Sequence, residues 1–193
     1  IEGCTDSLAT NYNPEANWDD GSCTYPDNGD YSLSFDGVDD EVIVPHSDEL
    51  DMHGNMTVSM WIMVNGGQDN TQVLGKGDNK YLYWDDEYEN ESGQGFQIEL
   101  DGTISSVEMF SMDYNQWYYV TWSYNDELSE FRVYRNGEYV RSEYDEVSIL
   151  VSVEDLLLGS WVNGQAHFNG SVSEMRIWNR VLTDAEVEEN MYA

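Results

Sequence analysis

The chain has 193 residues, and its seven Lys and Arg stand against 39 Asp and Glu, for a net charge of -32. That charge repels the phosphates of nucleic acid and of anionic membrane surfaces, which removes both as partners. The length suits one ordinary domain with a short appendage, and no run reaches the roughly 18 apolar residues that would insert it into a bilayer. So acidic a surface also repels itself. Screening by salt or neutralisation by bound cations would relieve this, which fits a saline, calcium-containing setting; acidity serving solubility alone is the other reading.

Both cysteines, Cys4 and Cys23, lie at the N-terminal end around an Asn/Asp-rich run. A loop of about 20 residues between two cysteines suits a small disulfide-stapled module, expected over residues 1–27, and oxidised sulfur implies a secreted or cell-surface protein. Within it Asp6, Asn11, Asn13, Asp19 and Asp20 carry hard oxygen ligands of the kind calcium takes. The spacing is not that of an EF-hand, because counting back from Gly21 puts Ala16 and Trp18 at the first and third ligand positions. The module is therefore either a calcium loop of another kind or a turn-rich disulfide loop without metal. The chain begins at Ile1 with neither initiator methionine nor signal peptide, as expected of a processed or excised segment. The triplets at Asn55, Asn90 and Asn169 match the glycosylation acceptor pattern, which is common by chance.

Pro26-Asp27-Asn28-Gly29-Asp30 is a run of turn formers without an apolar residue, so residues 28–30 are expected as a linker to a domain over 31–193. From there the apolar pattern has period two. Short runs rich in Val, Ile, Tyr, Phe and Trp predict strands over Tyr31–Asp36, Glu41–Val44, Met56–Val64, Tyr81–Trp84, Gly95–Asp101 and Trp117–Tyr124. Met56–Val64 carries large residues on both of its alternating faces. Glu130–Arg135 and Glu138–Ser142 flank Asn136-Gly137, whose tolerance of positive φ predicts a hairpin with a type I' turn. A last strand is expected over Phe168–Trp178, and Thr183-Asp184-Ala185-Glu186 is a capping box for a short helix ending near Met191. The acidic run Asp85–Glu91 lies between two predicted strands and reads as an exposed loop. Many short strands and one terminal helix make an all-β sandwich or barrel.

Several pieces follow one another in the order of a known family: Leu33-Ser34-Phe35-Asp36-Gly37-Val38-Asp39-Asp40 with Val42-Ile43-Val44, Met56-Thr57-Val58-Ser59-Met60-Trp61-Ile62, Trp117-Tyr118-Tyr119-Val120-Thr121-Trp122, Val133-Tyr134-Arg135-Asn136-Gly137-Glu138, Leu157-Leu158-Gly159-Ser160, and Phe168 through Thr183. In these the chain resembles Laminin G-like, concanavalin A-like jelly-roll domains over residues 31–193. The resemblance implies a two-sheet antiparallel jelly-roll sandwich, with calcium and glycans as candidate ligands. The N-terminal segment resembles a short two-cysteine motif of secreted marine microbial proteins.

Fold alone does not assign function, so the candidate residues are weighed by chemistry. For calcium the best group is Asp36, Asp39 and Asp40, with Glu174 brought near if the first and last strands pair as the resemblance implies; Ser173 stands where related sequences carry Asp. The bland reading is that these aspartates only build a turn. Sugar binding needs aromatic faces beside hydrogen-bonding groups, and Tyr83 and Trp84, with Trp161, Asn163 and His167, supply them. Trp61, Trp117 and Trp122 match core positions and read as packing. Catalysis has little to stand on: the histidines are His46, His53 and His167, and the nearest approach to a paired-carboxylate glycosidase pattern, Glu143-Tyr144-Asp145-Glu146-Val147-Ser148, lacks its final Glu. The sequence reads as a non-enzymatic, calcium-stabilised extracellular binding or adhesion module for a glycan or other surface polymer. The alternative is a structural subunit that assembles with copies of itself into a filament or matrix through calcium and subunit contacts.

Overall fold

A computed structural model describes residues 1–5, 11–19, 21–22, 31–51, 54–66, 71–77, 79–85, 95–99, 112–144, 152–161 and 164–192, with only the backbone at 19, 79, 80, 84, 85, 95, 97 and 99. They divide into two compact units, Ile1–Tyr31 and Ser32–Ala193.

In the first unit, strands β1 (Glu2–Gly3) and β2 (Trp18–Asp19) pair in parallel, with Glu2 opposite Trp18. Two-residue strands bury little, so side-chain and terminal bonds do most of the holding. The Ile1 ammonium donates to Asn17 Oδ1 at 2.8 Å and the Asn17 N–H returns to Ile1 O at 3.0 Å. Asn13 Oδ1 accepts from the Glu15 N–H at 3.0 Å, an Asx turn, and the Asn11 amide donates to Ser22 O at 2.6 Å. Cys4 is buried, and no described cysteine is free. Its expected partner Cys23 lies outside the described residues.

The second unit is an all-β sandwich of two antiparallel sheets with one short helix. Its strands are β3 (Leu33–Asp36), β4 (Val42–Val44), β5 (Met56–Val64), β6 (Thr71–Lys76), β7 (Asn79–Asp85), β8 (Gly95–Glu99), β9 (Trp117–Asn125), β10 (Glu130–Arg135), β11 (Glu138–Tyr144), β12 (Leu156–Leu158) and β13 (Asn169–Trp178). One sheet has the order β11-β10-β9-β5-β13-β3 and the other β4-β12-β6-β7-β8. Most of the strands predicted from periodicity are present within a residue or two of their expected ends. Strand β6 carried no signal of its own, because all six of its residues are buried and its polar members remove the alternation.

The core lies between the sheets. Met56, Val58, Met60, Ile62 and Val64 of β5 meet Tyr118, Val120, Trp122 and Tyr124 of β9, and Leu74, Leu82, Phe96 and Ile98 close it from the other sheet. Since side chains alternate along a strand, the outer face carries Trp61 and Met63 of β5 with Trp117 and Tyr119 of β9. This corrects the expectation for two of the three tryptophans. Trp122 is core, whereas Trp61 packs outside it against Tyr119 with the rings tilted, centroids 5.4 Å apart, and Trp117 is 36 % exposed. Consecutive aromatics leave both faces equally apolar, so the pattern cannot say which one is buried.

The hairpin forms as expected, with φ of 52° at Asn136 and 80° at Gly137. Helix α1 (Asp184–Asn190) starts at the predicted capping box: Thr183 Oγ1 accepts from the Glu186 N–H and Glu186 accepts from the Thr183 N–H at 2.8 Å. Its one buried residue, Val187, packs with Leu182, Tyr134 and Trp178 over the outer face of the six-stranded sheet. Arg180 adds a two-pronged bond to Glu186 at 2.7 and 3.0 Å. That guanidinium first, and then the Thr183 backbone and hydroxyl, hold the Glu186 carboxyl down to about 2. A carboxylate with a lowered folded value stabilises the helix start fully above the ordinary carboxylate range and stops doing so as pH falls toward 2. Acidification below pH 4 should therefore lower the protection of the first-turn amides of α1, measured as their exchange rate relative to the free-peptide rate at the same pH. The Glu186→Gln variant should lose this pH dependence; an identical acid response in the variant would contradict it.

Candidate functional site

After β12 the chain leaves the sheet through Gly159, whose φ is 89°. Its N–H donates to Val73 O at 2.9 Å, and the Phe168 N–H donates to Gly159 O at 2.8 Å. Between these anchors the segment folds on itself: the Trp161 N–H donates to Gln165 O at 2.8 Å, the Gly164 N–H to Trp161 O at 3.0 Å, and Gly164 and Ala166 take positive φ. Ala166 O then accepts from the Gln72 N–H of β6 at 3.0 Å. Tyr83 stands directly opposite Gln72 in the β6–β7 register. The backbone thus ties the stretch that carries Trp161 and His167 to the start of β6, where Tyr83 pairs opposite Gln72. Trp161 and His167 are half-buried and Tyr83 is buried. The Trp84 backbone is next along β7, and Asn163 lies outside the described residues.

Gln72 is the member that sequence reasoning missed. It sits 2 % exposed in a strand with no period, and its Oε1 has no hydrogen-bond partner. The Nδ1 of His167 is also buried and without a partner, while its Nε2 lies 3.1 Å from Gly164 O.

In the turn between β3 and β4, Asp36, Asp39 and Asp40 offer oxygens within 4.8 Å of one another. The turn reading holds as well: Asp36 Oδ1 accepts from the Val38 N–H at 2.8 Å, and Asp40 Oδ2 from the Asp36 N–H at 3.0 Å. Glu174 is not brought there. The first and last strands of the domain do pair, but the register sets Asp36 opposite Asn169, five residues before Glu174 and so about 16 Å away along the strand. Glu174 instead occupies a bulge with φ of 50° and pairs with Arg176 at 3.2 Å. Of the oxygens expected in the first unit, Asn11 and Asn13 are engaged in the turn bonds above, Asp19 is in β2, and Asp6 and Asp20 lie outside the described residues.

Toward the far end of β6, His46, Asp48 and Asp51 also come within 4.8 Å. An ammonium already fills that group. Lys76 Nζ donates to Asp51 Oδ1 at 2.6 Å, to His46 Nδ1 at 3.1 Å and to Ser152 O, which uses all three of its protons. Glu143, from the glycosidase-like stretch, pairs with Arg141 at 2.9 Å on edge strand β11, and Asp145, Glu146 and His53 lie outside the described residues.

The family described as the concanavalin A-like lectin/glucanases superfamily matches residues 36–188. The chain belongs to that superfamily. Solved structures share the fold at low identity. A proposed carbohydrate-binding protein from Bacteroides ovatus is 18 % identical with a TM-score of 0.66, the likeness covering 82 % of this chain and 48 % of that one, so this chain spans about half its length. Domain 4 of an extracellular arabinanase from Geobacillus stearothermophilus, in complex with arabinotriose, is 17 % identical with a TM-score of 0.64, over 91 % and 84 %. A heptameric SAP-like pentraxin from Limulus polyphemus is 15 % identical with a TM-score of 0.58, over 81 % and 79 %. No curated protein sequence matches the chain. Among the described residues no helix is long and apolar enough to cross a membrane.

Proposed function

We propose that this chain is a non-catalytic, extracellular carbohydrate-binding module whose sugar site is the folded segment Gly159–Phe168 together with the start of β6. The observation that carries the reading is that the stretch bearing an indole, Trp161, and an imidazole, His167, is pinned by backbone hydrogen bonds to Val73 and Gln72 of β6, with Tyr83 paired opposite Gln72. Aromatic faces stack on the apolar face of a sugar and the polar groups take its hydroxyls. The carbohydrate-binding protein and the arabinotriose-bound domain among the similar folds agree with it.

Calcium belongs to the proposal as a stiffener of the β3–β4 turn. The donors are all hard oxygens, and the turn bonds leave Asp39 and one oxygen each of Asp36 and Asp40 for a cation that would also relieve their mutual repulsion. A Cys4–Cys23 disulfide closing residues 1–27, with 28–30 as linker before the domain at 31–193, completes the reading: Cys4 is not free, and Cys23 is the only other cysteine.

Retention on an array of neutral and charged oligosaccharides tests the proposal. Trp161→Ala should weaken binding tenfold or more, or about 1.4 kcal/mol, and a chelator should lower both affinity and melting temperature. Equal binding by the variant would refute the site; melting indifferent to chelator and to added calcium would refute the metal.

A further inference from the structure

Two of the buried side-chain acceptors at this site have no hydrogen-bond partner. The His167 Nε2 faces a carbonyl, Gly164 O, at 3.1 Å, and a carbonyl only accepts, so Nε2 carries the ring proton. In the neutral ring Nδ1 is then a lone-pair acceptor, buried and without a partner. The second is Gln72 Oε1, on a side chain 2 % exposed. Their segments are joined directly, since the Gln72 N–H donates to the carbonyl of Ala166, the residue before His167.

A buried polar atom left without a hydrogen bond lowers stability, so two of one kind on adjoining segments describe what is missing. The missing group must donate twice. A carboxylate only accepts and would also meet a chain of net charge -32, so acidic sugars are the wrong chemistry. Two adjacent hydroxyls on a neutral sugar ring donate twice at close spacing, and they leave the ring's apolar face for the half-buried indole of Trp161, five residues upstream of Ala166 in the same folded segment. We propose that Gln72 Oε1 and His167 Nδ1 form a polar subsite that receives two neighbouring hydroxyls of a neutral sugar and rejects acidic sugars. This rests on the carbohydrate reading of the segment and adds the class of sugar and the residues that select it.

The test uses the full chain on an array of neutral oligosaccharides with their amino-sugar and uronic-acid counterparts, alongside Gln72→Met and His167→Phe. The expected result is retention of neutral glycans and of no uronic acid, with each variant weakened tenfold or more. Gln72→Met should at the same time melt no lower than the parent, because it removes an unsatisfied acceptor while keeping the unbranched shape. A merely structural glutamine would show the opposite, a lower melting temperature, and that result overturns the assignment. So does unchanged binding by both variants, which leaves the carbohydrate reading standing with a different subsite. Preference for amino sugars over neutral ones would make the donor an ammonium and overturn the diol. Retention of no glycan of any class by the parent chain would instead remove the carbohydrate reading itself.

Discussion

Replacement of Lys76 by Met is expected to cost the sandwich about 3–5 kcal/mol, the range for breaking a buried ion pair by removing one partner. The ammonium is 2 % exposed, and Asp51, its nearest acceptor at 2.6 Å, is itself largely buried. Its three bonds tie together the ends of β4 and β6, the short helical turn Asp48–Leu50 that leads to Asp51, and the segment before β12 through Ser152 O. Without the ammonium, a carboxylate, an imidazole acceptor and a carbonyl are left facing one another. For a domain of this size each kcal/mol moves the melting temperature by roughly 2–4 °C, so a fall on the order of 10 °C is expected. The double variant Lys76→Met with Asp51→Leu should recover part of the loss, since removing both members of a buried pair is far cheaper than removing one. A single variant that melts within 2 °C of the parent, roughly 1 kcal/mol at most, would show that the pair is not buried in solution.

Gly159→Ala is the second large effect. At φ of 89° an L side chain is strained, and the added methyl would overlap the ring of Phe35, a core residue 3 % exposed that also packs on Phe168. Left-handed strain of about 1–2 kcal/mol and overpacking of about 1–3 kcal/mol together predict a loss near 3 kcal/mol. Phe35 or the exit from β12 must shift, and the exit carries Trp161 and His167, so glycan retention should fall with stability. Gly164→Ala is the matching control. That residue has φ of 64° but nothing within 4 Å of the added methyl, so only the strain of about 1–2 kcal/mol is expected. Equal denaturant midpoints for the two variants would mean that the close approach to Phe35 contributes nothing.

How far the sequence could be read depended on how local each cause is. The Asn136-Gly137 turn and the Thr183–Glu186 cap are set by residues within four positions of one another, and both formed as expected. Strand β5 was legible from its own alternation. Placing Trp61 and Trp117 was harder, because a strand with large residues on both faces is equally regular whichever face is inward. Glu174 was misplaced for a related reason. Pairing between β3 and β13 was foreseen, but the register puts Asn169, and not Glu174, beside Asp36, and a register is a relation between distant segments that neither one carries alone.

The sequence by itself determined the all-β class, most of the strands, the terminal helix and the residue types from which a sugar site would be drawn, all of which follow from composition and short-range period. Tertiary structure decided which of those residues meet. It set Tyr83 across from Gln72, tied Gly159 and Ala166 to β6, left two buried acceptors unpaired there, and filled the His46–Asp51 group with Lys76 instead of leaving it to a metal. Each of these is a contact between segments far apart in the chain, made by burial and hydrogen bonding that no local pattern records.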